Sequence, residues 1–172
     1  MGAPLFVLFI AGSVTIIGVG KDKTSEQDLK RLQGDWRVRS LEVHVKGGTV
    51  TPKAELEKWR WVIKGNSLTW ISPAGPDQKD IFSLHPSRSP KWIDLTGKVE
   101  IRDVDKNGKL GDVVQTEQWT LYGIYELKGD TLRVCLPLGQ IGSKVRPAEF
   151  TGKEGSGCML YSLERMQAKK RE

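Results

Sequence analysis

Histidine and cysteine are scarce in this chain, which carries only His44 and His85, Cys135 and Cys158. Neither histidine adjoins a Ser or Cys in a nucleophile motif. Gly155-Ser156-Gly157 lacks the strand-to-helix setting of a nucleophile elbow and reads as a hairpin turn. Zinc needs about three or four His, Cys or carboxylate ligands at consistent spacing, and no such set is present. Asp94 and Glu126 are a conceivable carboxylate pair, but nothing in the sequence brings them within reach. The expectation is a protein that is not an enzyme and takes no cofactor and no metal.

Charge is missing altogether from residues 1–20, where Leu5 to Val19 form a mostly apolar stretch interrupted by Gly12, Ser13, Thr15 and Gly18. The stretch is shorter than the roughly 20 apolar residues of a membrane span. Residues 1–20 read as a signal peptide cut before Lys21, although its basic n-region is lacking; a retained N-terminal anchor and a buried first strand are the alternatives. Residues 21–172 then form one exported domain, periplasmic or extracellular. All 27 basic and 21 acidic residues fall in that domain and give it a net charge of +6. The basic residues are spread along the chain, apart from Lys169-Lys170-Arg171, so nucleic-acid binding is not expected. Contact with an anionic envelope surface stays open.

Internal repeats and long amphipathic helical patterns are also absent, and short alternating runs take their place. Ser25 with Asp28 three residues on resembles a capping box, and Leu29 and Leu32 share one face, so residues 26–33 read as a short helix ended by Gly34. A strand follows from Asp35 to Val45. Its inward set shifts from Trp36 and Val38 to Leu41, Val43 and Val45, which calls for a bulge near Arg39 or Ser40. Thr51-Pro52 opens a turn of helix. Trp59, Trp61 and Ile63 then alternate inward, Gly65-Asn66 makes a two-residue turn, and Leu68 and Trp70 continue the same face. Further strands are predicted at 79–85, 91–101, 116–127, 131–136 and 158–165. Strands joined by turns, with no helices between them, make an all-β antiparallel meander closed into a roughly eight-stranded barrel.

Trp36 and Arg165 fall on inward positions of the first and last strands, where the guanidinium can cover the indole face and close one barrel end. The phases of Cys135 and Cys158 agree with each other and point away from the inward sets of their strands. A surface disulfide between them is geometrically possible if those strands pair in the right register.

Leu32-Gln33-Gly34-Asp35-Trp36, Pro86-Ser87 leading to Pro90-Lys91-Trp92-Ile93-Asp94-Leu95, Gly123-Ile124-Tyr125-Glu126-Leu127 with Gly129-Asp130-Thr131-Leu132, and Arg146-Pro147-Ala148-Glu149-Phe150 follow one another in order. Together they resemble the signatures of the planctomycete-type lipocalin-like domain family of unknown function, over roughly residues 29 to 165. His85 departs from that pattern, which has an Asp before the Pro-Ser bend. The resemblance implies an exported lipocalin-like barrel and carries over no catalytic residue.

In such a barrel the set Trp59, Trp61, Trp70, Trp119 and Tyr125 has two readings. Either it lines a cavity for a small apolar or amphipathic molecule, or it fills the interior and leaves an envelope interaction or structural module. Asp103, Asp105 and Asn107, with Gly108 and Leu110, copy the first half of a calcium loop, but Val114 stands where the bidentate acid belongs. That segment is therefore expected to be a solvated hairpin loop.

Overall fold

The computed structural model describes residues 23–44, 53–73, 75–104, 110–138 and 144–167. Its elements run α1 (Lys23–Leu32), β1 (Gly34–Val43), α2 (Lys53–Leu56), β2 (Arg60–Lys64), β3 (Ser67–Ile71), β4 (Gln78–His85), β5 (Lys91–Val104), β6 (Leu110–Lys128), β7 (Thr131–Pro137) and β8 (Cys158–Arg165). Each strand pairs antiparallel with the next, and β1 pairs with β8, so the eight strands close into a barrel. Residues 1–20, expected to be a signal peptide, lie outside the described residues. No helix among the described residues is long and apolar enough to cross a membrane.

Two-residue turns set the register of the tight hairpins. Lys64 pairs with Ser67 across Gly65-Asn66, and Lys128 with Thr131 across Gly129-Asp130, with Gly65 at φ +58° and Gly129 at φ +56°. An L side chain rarely adopts those values, which is the reason for glycine at both. The phase change in β1 is met by a register shift between Val38 and Ser40, opposite Leu163 and Ser162 of β8. Arg39 bulges out there and ion-pairs with Glu164.

Alternation carries side chains from all eight strands into one core. Trp36, Val38, Leu95 and Val134 are fully buried in it, and Trp61, Leu68, Phe82 and Leu163 nearly so. Three rings stack at its centre: Trp61 lies 4.4 Å from Trp70 and 5.1 Å from Tyr161, edge-on or tilted in the manner aromatic pairs favour.

One end is closed by α1. The Trp36 indole N–H donates to the Leu32 carbonyl at 2.8 Å, and the Arg165 guanidinium donates to the carbonyls of Gln33 and Arg31. These are the unpaired carbonyls at the helix C-terminus, and a cation there also suits the helix dipole. The same guanidinium lies 4.2 Å over the Trp36 ring and bonds Asp130 at 2.8 Å. The helix start differs from the expected capping box. Ser25 Oγ donates across to Leu84 O, and Asp28, 3 % exposed, accepts from Lys91 Nζ at 2.6 Å and the Tyr125 hydroxyl at 2.7 Å. Both residues thus tie the helix to the barrel mouth rather than cap it.

A smaller second core lies outside the barrel wall. Ile124, Cys135, Cys158 and Leu160 point away from the lumen and are covered by Trp92 and Phe150, the latter in the irregular 144–151 segment.

Candidate functional site

Because β2 and β4 begin, and β3 ends, at the end of the barrel away from α1, the loops before and after them form its other mouth. There Trp59, Arg60, Trp61, Trp70, Ile71 and Gln78, among others, line a cleft of about 190 Å³. The tight β2–β3 hairpin sets Trp61 opposite Trp70 in register, and alternation turns both inward. Trp59 precedes β2 and is held at the lip, its carbonyl accepting from Val38 N–H and its N–H donating to Leu56 O.

Asp80 lies behind this cleft. It is 1 % exposed, and its carboxylate accepts from Trp70 Nε1 at 2.5 Å and from Gln78 Nε2 at 3.1 Å. Burial pushes its pKa above the ordinary carboxylate value, while the Gln78 and Trp70 hydrogen bonds oppose the rise. Among the described residues no cation pairs with it. Gly97 makes room for it: a Cβ there would strike both Asp80 Oδ1 and the Trp119 ring, which lies over the Gly97 backbone.

The aromatic candidates therefore separate. Trp59, Trp61 and Trp70 form the cleft, whereas Trp119 covers Gly97 beside Asp80 and is not among the cleft residues. Tyr125 is buried at the α1 end with its hydroxyl on Asp28, so the expectation that it lines the same site is corrected. Burial and the Asp28 carboxylate both push its phenol pKa up.

Asp94 and Glu126 do not meet as an acid pair. Arg146 bonds Asp94 at 2.6 Å, and His85 Nε2 lies 3.3 Å from the same carboxylate. Glu126 is held by Lys128 at 2.7 Å, whose hydrogen bond lowers its pKa. Arg146 also stacks on Trp92 at 4.3 Å and on Tyr122 at 5.3 Å, and donates to Gly123 O, so it pins the 144–151 segment against the outer wall. Trp92, Asp94, the Gly123 carbonyl, Arg146 and Phe150 gather on this outer face, as a structural clasp.

Cys135 and Cys158 are free thiols. Their register, with Cys135 opposite Leu160 and Pro137 opposite Cys158, makes them diagonal neighbours on the outer face. The expected surface position is corrected: Phe150 and its segment cover them, and burial raises the Cys135 thiol pKa to about 11. Of the calcium-loop candidate, Asp105 and Asn107 lie outside the described residues, and Asp103 is placed only as part of the β5 backbone. No metal-ligating cluster occurs among the described residues.

A larger groove of about 720 Å³ runs along the outer wall, between Gln78, Lys79 and Ile81 of β4 and Thr96, Gly97 and Lys98 of β5. It exists because β4–β5 pairing stops at Ile81–Thr96 while β5 continues to Val104. In a polar hollow of about 240 Å³ beside Arg37, Arg39 and Arg165, Glu164 pairs with Arg39 and Asp130 with Arg165. Comparisons with protein-family models, curated proteins and solved structures returned no match to this chain.

Proposed function

We propose that this protein is an exported, non-catalytic barrel of the planctomycete-type lipocalin-like family that holds a small, flat, mainly apolar molecule in the tryptophan-walled mouth opposite α1. The observation that carries this reading is the cleft itself, about 190 Å³ with Trp59, Trp61 and Trp70 among its lining residues. That volume is below the roughly 300–1,000 Å³ of pockets for drug-sized ligands, so the occupant is a single ring or one end of a longer molecule. Deep lumen binding of the usual lipocalin kind is disfavoured by the packed Trp61–Trp70–Tyr161 stack. Titration with benzyl alcohol, followed by the indole N–H resonances, tests it. Saturable shifts confined to the cleft tryptophans, and lost in Trp59→Ala, are expected; no shift rejects it.

A second reading, an envelope interaction module with a filled barrel, is favoured by the outer-wall groove, where strand edges of β4 and β5 part company. Co-sedimentation with anionic-lipid vesicles that is insensitive to Trp59→Ala supports that reading instead.

A further inference from the structure

A carboxylate buried inside an apolar barrel without a counterion is costly, and such groups concentrate where a ligand supplies what the fold withholds. Asp80 is that group. Its two donors, the Trp70 indole and the Gln78 amide, are neutral. Both also belong to the cleft: the Trp70 ring is a wall, and the Gln78 side chain, itself exposed, lies between the cleft and the carboxylate. Gln78 Nε2 reaches both Asp80 oxygens, at 3.1 and 3.3 Å, so its amide occupies the position a charged donor would take.

We infer that the cleft selects a small organic ammonium ion, whose head group replaces the Gln78 amide on Asp80 while its apolar body lies among Trp59, Trp61 and Trp70. The inference rests on the cleft being the binding site and adds the charge of what it binds. Three physical terms agree. Charge-assisted hydrogen bonds are roughly twice as strong as neutral ones. A cation within about 6 Å of an indole face is attracted by the ring quadrupole. An ammonium also cancels the uncompensated charge of the buried carboxylate. Arg60 at the rim opposes a cation, but it is exposed and screened, whereas Asp80 is enclosed.

The test compares benzylamine, protonated at neutral pH, with benzyl alcohol, its neutral counterpart of nearly equal shape, on the intact protein. Benzylammonium is expected to bind about tenfold or more tightly than the alcohol. Asp80→Asn, close to isosteric, is expected to abolish that preference while leaving the Trp36 indole signal unchanged. Equal binding of the two probes, or a preference that survives Asp80→Asn, overturns the inference and leaves the apolar cleft standing. Binding of neither rejects cleft and inference together. If Asp80→Asn does not fold, Gln78→Ala decides: uncovering the carboxylate should tighten benzylammonium several-fold, and an unchanged affinity counts against the inference.

Discussion

Asp80 shows how one side chain sets a pH dependence. Its pKa is raised in the folded protein, so below its ordinary value of about 3.8 it is protonated in both states and adds no slope. As pH rises past that value the unfolded chain releases the proton first, and stability falls until the folded carboxyl also ionises. Asp80→Asn removes this loss. Relative to the wild type it should gain stability through that window and keep that gain at neutral pH. Asn Oδ1 can still accept from Trp70, and a flipped Gln78 amide can accept from Asn. Urea denaturation of both proteins from pH 4 to pH 8 checks it, and a wild type as stable as the variant at pH 7 contradicts it. The parity of Asp80 with Phe82 and Leu84 already marked it as inward, a signal legible in the sequence but easily passed over because the run is short. The inward phase of Trp36 and Arg165 was readable because Trp36 shares it with Val38 before the β1 bulge, and Arg165 shares it with Leu163. The carbonyls that Arg165 caps were not, because they depend on where α1 sits.

At the scale of elements, strand order and turn positions were legible because glycine turns and period-two alternation are local signals. The outer core was not. Strand phase separates lumen from exterior, but it cannot say that an irregular segment folds back over the exterior, and residues 144–151 carry no strand pattern to announce it. Arg146 holds that cover in place through Asp94, Trp92 and Gly123 O. Arg146→Ala should loosen the segment and open Cys135 and Cys158 to solvent while the barrel stays closed. A raised thiol pKa and burial make both cysteines slow toward alkylating reagents in the wild type. At pH 8 the variant should react at least about fivefold faster at both sites, since local opening is read directly by reagent access. Unchanged alkylation rates would mean that Phe150 under Arg133, at 4.8 Å, holds the segment unaided.

For the molecule as a whole, the deciding question is whether the barrel is a container or a solid. Of the two readings of the aromatic set, the central stack favours the solid: Trp61 is 2 % exposed and in ring contact with both Trp70 and Tyr161. Sequence alternation placed these rings inward but could not say whether they met across the lumen, because that depends on barrel tilt and register rather than on any local pattern. In a solid barrel, Trp61→Ala leaves a cavity and should cost about 3–5 kcal/mol by chemical denaturation. The vacated volume adjoins the cleft, so free indole should enter it and raise the variant's melting temperature in a saturable way. A solid barrel has no interior room for an acyl chain, and palmitate should then leave the wild type's melting temperature unchanged. A container predicts the reverse: a much smaller loss on truncating Trp61, no rescue by indole, and stabilisation of the wild type by palmitate.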